Sequence, residues 1–555
     1  MAGVILENMS TKKILIFCGI LLFLQIVCFL VGGIIAPSPT TTLRVLATKC
    51  IDHTQNHRKL FPPRGKHGCD RLDNFEEALT RHIPASDITF SFQIPHGKLE
   101  MSRLFQFMVG VLTLDIEHTN EVAVGTDPTL SMVITMGYNN VPDGNGEWEL
   151  LYQVNETRKL SCFLEGEEDG YGEYYDCDPL ALFELSSVHH KHYLVNIRLP
   201  IEDENLQEIN QDIGSIKDLH IVEIHQTGGF TIIWLTMKSV FFPLVLGMMI
   251  FFQRRVNQLG RAPLLMEKTI LSLAIVMTFV NFPLEWLTLV FEIPAMLLIS
   301  DIRQGACYAM LFSFWIIFIG EHMMDSVRRN SLKAYWQQTM AIGVACTGLL
   351  VFDLAERGSQ LVNPFYSIWN SQQGSKLAMG FIILAAVCVC LYFCFLLFMV
   401  LCLFRNLRMK SVAFNSMPKN RKNYYQGLLY RFRFFMIFTL FSAVMTVVFF
   451  VLSQVNEVYN WHLDNEDQPQ LHYTSGFFTG VYGLWNVYVL AVLFLYSPSH
   501  KDEPLLRQVD QSDGSQVEFE MTEATTSRPT VAASMAHPGA TAPEVYQLLG
   551  KNAGD

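Results

Sequence analysis

The groups best placed to do chemistry in this chain are ionisable residues inside or beside long apolar runs. Glu285 follows Pro283 in Asn281-Phe282-Pro283-Leu284-Glu285-Trp286. A carboxylate at membrane depth needs a counter-charge or a wet cavity. Glu321 and His322 close another apolar run, with Asp325 one turn on. Asp353, Glu356 and Arg357 lie at or just past the end of a third, and Asp301 and Arg303 precede the run that starts at Gly305. As functional groups these suggest a polar switch or a proton or ion relay. As structure they are helix-end charges at an interface, paired or snorkelling. Their positions near run ends favour the structural reading for all but Glu285. Hydrolysis lacks its usual parts: there is no Gly-x-Ser-x-Gly elbow, no His-Glu-x-x-His pair and no phosphate-cradling glycine loop. The chain is therefore expected to be no enzyme and to use no metal or cofactor.

The elements that hold these groups are membrane helices. Half of the 555 residues are apolar and only 17% are charged, too few charges for a soluble chain of this length. A bilayer core of ~30 Å needs about 20 mostly apolar residues per crossing. Eight stretches qualify: Ile14–Ile35, Ile232–Phe252, Thr269–Phe291, Gly305–His322, Met340–Leu354, Leu377–Phe404, Phe434–Leu452 and Phe477–Tyr496. The fold class expected is a polytopic α-helical membrane protein with eight TM helices, one anchor and seven further spans. Lys12 and Lys13, Arg254, Arg255 and Arg261, Arg328, Arg329 and Lys333, and the basic Arg405–Arg433 loop all fall on one side, which must be cytosolic. The opposite loops carry Glu292, Asp301, Glu457, Asp464, Glu466 and Asp467. The implied order is a cytosolic N-terminus (1–13), a retained anchor (14–35), an ectodomain (36–231), a seven-helix bundle (232–496) and a disordered cytosolic tail (497–555). The net charge of −12, with roughly fifteen excess acids between Pro37 and Phe230, argues against nucleic acid as partner.

The ectodomain reads as strands. Ile88–Ile94, Leu104–Ile116, Leu130–Tyr138, Trp148–Val154, Lys159–Leu164, Tyr193–Leu199 and Leu219–Ile224 alternate or run apolar with β-branched and aromatic residues. Turn-rich segments separate them, so a luminal β-sandwich domain is expected. Asp73–Arg81 suits a short helix capped by Asp73 or Asn74. Cys50, Cys69, Cys162 and Cys177 lie in this oxidising compartment and allow three pairings, of which short loops favour Cys50–Cys69 and Cys162–Cys177. Asn155-Glu156-Thr157 is a glycosylation acceptor. His189, His190 and His192 are spaced poorly for a metal and suit solvated strand edges.

Three cytosolic patterns resemble sorting signals. Tyr425-Gln426-Gly427-Leu428 is a Tyr-x-x-Φ pattern of the kind a clathrin adaptor reads as an added strand. Asp502-Glu503-Pro504-Leu505-Leu506 and Tyr546-Gln547-Leu548-Leu549 lie in the tail.

Several longer segments carry a resemblance. Glu7–Lys13, Asp301–Gly305, Gly320–Asp325, Asn363–Trp369 and Phe477–Asn486 resemble the Wntless (Evenness interrupted) family, across Met1 to about His500. The resemblance implies an anchoring helix, a luminal β-sandwich and a seven-helix GPCR-like bundle. It implies a receptor that binds palmitoleoylated Wnt, shelters the lipid in a cavity of the bundle and carries it from ER and Golgi to the cell surface. Return of the empty receptor then uses endocytosis and retromer, with the endocytic tyrosine motif on Tyr425 and Leu428. Membrane lipid is the remaining implied partner. The family's vertebrate members end in a charged retrieval sequence, from which Gly550-Lys551-Asn552-Ala553-Gly554-Asp555 departs. The residues alone leave two alternatives open: a GPCR-like signalling receptor coupling through the basic loop, and a transporter or channel using intramembrane acids.

Overall fold

The computed structural model describes residues 4–53, 59–64, 68–96, 99–118, 124–141, 146–165, 174–202, 207–323, 330–413, 426–445 except 428 and 432, 448, and 473–499. Twelve strands form among them: β1 (Thr40–Leu46), β2 (Thr48–Ile51), β3 (Arg71–Leu72), β4 (Ile88–Ile94), β5 (Met108–Glu117) and β6 (Thr129–Asn139). The rest are β7 (Glu149–Lys159), β8 (Cys162–Glu165), β9 (Tyr174–Cys177), β10 (Leu180–Leu185), β11 (His192–Arg198) and β12 (Ser215–Gln226). They make two antiparallel six-stranded sheets. One runs β1-β12-β5-β9-β8, with β10 also paired to β5; the other runs β3-β2-β4-β11-β6-β7. Their facing surfaces enclose one core. Leu112, Leu114 and Ile116 of β5 and Leu219 and Ile221 of β12 meet Phe90, Phe92, Ile134, Val195 and Ile197 of the other sheet. The alternation that makes such strands legible comes from the two-residue period of the pleat.

Five of the seven expected strands fall on β4, β5, β6, β11 and β12, although β5 starts at Met108 rather than Leu104. The runs Trp148–Val154 and Lys159–Leu164 divide differently. β7 continues unbroken through Lys159, and β8 begins at Cys162. The helix expected near Asp73 is Phe75–Thr80, capped by Asn74, whose side chain accepts from the Glu77 amide at 2.9 Å. Cys50 is bonded to Cys69 and Cys162 to Cys177. The reading of His192 as a solvated edge residue is corrected: it sits in β11 between β4 and β6 and is fully buried. β11 is a central strand, so the position has no free edge to expose.

The helices are α1 (Thr11–Leu30), α2 (Gly228–Asn257), α3 (Leu265–Asn281), α4 (Met296–Met323), α5 (Trp336–Gln360), α6 (Gln372–Ala413), α7 (residues 433–445) and α8 (Tyr473–Leu495). All but α7 belong to segments long and apolar enough to cross a membrane, and α7 lies at the position of the remaining apolar run. Helix α8 is the buried centre of the bundle and packs on α1, α2 and α3.

Glycines bring α1 and α8 together. A β-carbon at Gly32 would stand 1.9 Å from the Thr479 hydroxyl, and one at Gly480 would stand 2.2 Å from the Phe29 ring. The close approach lets Thr479 donate to the Cys28 carbonyl at 2.9 Å and Gln25 to the Gly480 carbonyl at 2.7 Å. Small residues at a contact are how membrane helices pack where water supplies no hydrophobic drive.

Three helix limits correct the expected spans, and each has a physical cause. Helix α3 stops at Asn281 instead of running to Phe291, because Pro283 has no N–H to give the Phe279 carbonyl and its ring crowds that oxygen. Helix α4 begins nine residues before Gly305, which places Asp301 and Arg303 inside it. Helix α5 reaches Gln360, so Asp353, Glu356 and Arg357 are helical too. Charges that read as flanking a span are part of longer helices reaching up to the β domain.

Candidate functional site

A cavity of about 750 Å³ lies where the β domain meets the bundle. Its roof is the outer face of the first sheet, with Thr40 and Thr42 of β1, Val109 of β5, and Ile224 and Gln226 of β12, and Phe183 and Glu184 of β10 close it at the sheet's edge. Its floor is the helix ends beneath, with Phe230 and Trp234 of α2, Gln304 of α4, Arg357 and Gln360 of α5 and Phe478 of α8. The loop between α5 and α6 supplies a side wall from Pro364 to Trp369. Aromatic and aliphatic groups line most of it, and Glu184, Glu356, Arg357 and three glutamines supply a polar minority. The size falls in the ~300–1,000 Å³ range of small-molecule sites, whose lining is mostly apolar; here the polar share is larger, with two acids, an arginine and three glutamines beside the aromatic rings.

Beneath the floor lies a buried charge cluster. The turn Glu285–Thr288 follows the break in α3, and Glu285 is 7% exposed. Its Oε1 accepts from Nζ of Lys238 on α2, and Nη1 of Arg303 on α4 lies 3.4 Å away. Arg303 also takes up the end of α3. Its guanidinium donates to the carbonyls of Phe279 at 3.1 Å, of Val280, and of Phe282 at 2.5 Å. The Phe279 carbonyl is the one that Pro283 cannot serve. One arginine thus caps a broken helix and neutralises the acid just beyond the break. A second network adjoins it. Tyr482 donates to Asn281 at 2.5 Å, Asn281 to Asn486 at 2.6 Å, and Asn486 to the Tyr482 carbonyl at 3.0 Å, all buried. Trp234 connects cluster and cavity, since its ring lies 4.7 Å from Tyr482, 5.6 Å from Lys238 Nζ, and on the cavity wall.

Glu285 therefore has the counter-charge that its depth required. Lys238 is the member that attention to acids alone does not find. A lone lysine six residues into the second apolar run was the available signal. Arg303, read as preceding its span, is 2% exposed within it. Asp301 and Glu184 both pair with Arg357, the first at 3.6 Å. Glu321 and His322 do not act together. Glu321 accepts from Tyr335 at 3.0 Å, whereas His322 bonds the Phe318 carbonyl at 2.6 Å and approaches Tyr496. Asn155 is exposed on the outermost strand of its sheet. Asp325, Tyr425, Leu428, Asp502, Leu505, Leu506, Tyr546 and Leu549 lie outside the described residues.

The molecule is thus a polytopic membrane protein whose helical bundle carries a two-sheet β domain and a cavity at their junction. The family description "Wntless, GOLD domain" matches residues 48–226, and "Wntless-like, transmembrane domain" matches residues 227–500. The chain is 47% identical over 518 residues to Protein wntless homolog of Homo sapiens, covering 93% of this chain and 94% of that one. It is 44% identical over 560 residues to Protein wntless homolog A of Xenopus laevis, covering all of both. To Protein wntless of Drosophila mojavensis it is 41% identical over 526 residues, 92% of each. The chain belongs to the Wntless family.

Proposed function

We infer that this protein is a Wnt cargo receptor: a non-enzymatic carrier that binds palmitoleoylated Wnt and delivers it to the cell surface. The carrying observation is the largely apolar cavity, lined by Phe183, Phe230, Trp234, Phe365 and Phe478, at the junction of β domain and bundle. Burying lipid contributes ~0.8 kcal/mol per methylene, so a chain of about sixteen carbons holds its protein to a membrane by roughly 10 kcal/mol. A carrier that moves by vesicle must offer comparable burial. The β domain then cradles the protein part of the ligand, and the cavity is the nearest shelter for its lipid. Glu285, held between Lys238 and Arg303, serves as structure rather than as an ion relay, which favours the carrier over a transporter.

Both termini are cytosolic in this reading, residues 36–231 are luminal, α1 is a retained anchor and Asn155 carries a glycan. The fit of α1 to Gly476, Gly480 and Gly483 supports its retention, because a cleaved leader would leave that face of α8 without its partner. Tyr425 and Leu428 bind a clathrin adaptor, retromer returns the receptor from endosomes to the Golgi, and the two tail patterns assist. Deleting the protein should trap lipidated Wnt in the cells that make it. Unchanged secretion would sink the reading, and a defect confined to receiving cells would favour a signalling receptor. Tyr425→Ala should raise the surface pool at the expense of the Golgi pool, as surface labelling would report.

A further inference from the structure

Phe365 stands in the loop between α5 and α6, yet it belongs to the hydrophobic core of the β domain. It is 1% exposed, and its ring meets Phe183 of β10 edge to face at 5.8 Å between centroids. The backbone on either side is held as well. The Pro364 carbonyl accepts from the Glu184 amide of β10 at 2.8 Å. The Phe365 carbonyl accepts from Arg158 of β7 at 2.7 Å. Arg158 is 3% exposed, and its charge is met by Glu156 at 2.6 Å. The other oxygen of Glu156 accepts from the Asn363 amide at 3.2 Å, and Asn363 in turn accepts from the Phe365 N–H at 3.0 Å.

A buried guanidinium must fill its donors or leave them desolvated. Here one donor is completed only by a loop that comes from the bundle. Beside it, Arg357 of α5 pairs with Glu184, and Asp301 of α4 lies 3.6 Å from the same guanidinium. The result is a lock joining α4, α5, β7 and β10 through one inserted aromatic ring. Phe183, Glu184, Arg357, Pro364 and Phe365 are also cavity wall, so the lock and the proposed cargo site share their atoms.

We propose that Phe365, held in place by Arg158, is a positioning residue that seats the β domain over the bundle, and that the cavity has its cargo-binding shape only while this ring is inserted. The inference rests on the cargo-receptor reading.

Its test uses the full chain co-expressed with acylated Wnt, scoring Wnt recovered per receptor and the receptor's own thermal transition. Phe365→Ala should lower recovered Wnt at least tenfold with receptor still folded, and Phe365→Leu, which refills the core, should stay within about twofold of wild type. A folded Phe365→Ala receptor that recovers Wnt like wild type overturns the proposal. If that variant fails to accumulate, Asn363→Ala decides, since it removes the loop's grip on Glu156 and the cap on the Phe365 amide and so loosens the seat of the ring without deleting it. A threefold or greater loss supports the proposal, and wild-type recovery overturns it. Wild-type receptor that recovers no acylated Wnt would instead overturn the cargo reading itself.

Discussion

The two sides of the bundle are built on different terms. Helices α2, α3, α4 and α8 pack tightly around buried polar groups, and α8 shows little of itself to the outside. Helices α5 and α6 present most of their surface outward and pack mainly on each other and on α4. Between them runs an apolar groove lined by Gly343, Thr347 and Gly348 of α5 and Phe381 of α6. The packed side owes its fixed geometry to the Lys238–Glu285–Arg303 cluster and the Asn281–Tyr482–Asn486 network. The open side has no such centre among the described residues. It is held from above, by the loop that inserts Phe365 into the β domain. One side is organised by its own interior and the other by the domain it carries.

Removing the centre of the packed side should have the largest effect. Glu285→Gln leaves Lys238 and Arg303 buried with too little negative charge, and breaking a buried pair costs ~3–5 kcal/mol. The receptor should lose most of its folded amount and melt well below wild type by fluorescence-detected size exclusion. Pairing it with Lys238→Met should recover part of the loss, and an unaltered melt for Glu285→Gln would remove the cluster from the account. Next in size is the α1–α8 seam. Gly32→Val places side-chain atoms where the Thr479 hydroxyl and the Ser475 carbonyl stand, 1.9 and 2.5 Å from the new β-carbon. Overpacking of this kind costs ~1–3 kcal/mol. Thermal stability should fall, and a crosslink between α1 and α8 should weaken. A matching change at Gly343, which meets nothing within 4 Å, should leave stability unmoved.

The smallest effect is one of pH. Burial lowers the pKa of His189 and of His190, with Glu292 opposing. The folded β domain therefore favours neutral imidazoles, and the unfolded chain binds more protons once the pH falls below the ordinary histidine value of about 6.5. Stability is fully present above that value and declines as the pH drops through the lowered folded values. The melting temperature should be lower at pH 5.5 than at pH 7.4, and His190→Gln should shrink the difference. An undiminished difference would assign the pH dependence to other groups.

What the sequence made legible follows the same division. β4, β6 and β11 announce themselves because alternation and β-branching repeat over seven or more residues. β2, β3 and β9 are two to four residues long, too short for a period to register, and they exist because neighbours pair with them. Glu285 was legible as an acid that needed a partner. Which partner was not, because Lys238 meets it across 47 positions and only after Pro283 breaks α3. The charges at the end of α5 were visible but misplaced, since a helix rising past the membrane to meet a domain looks like one that has ended. Asn363–Trp369 stood out as a segment, yet nothing local in it tells that Phe365 finishes another domain's core.

The proposed shelter for an acylated ligand is tested most directly by capture of that ligand. Full-length receptor should be used to capture Wnt from producing cells, alongside the same Wnt with its acyl-bearing serine replaced. The account predicts strong recovery of acylated Wnt and at least a tenfold loss without the lipid. Equal recovery of both forms would contradict it.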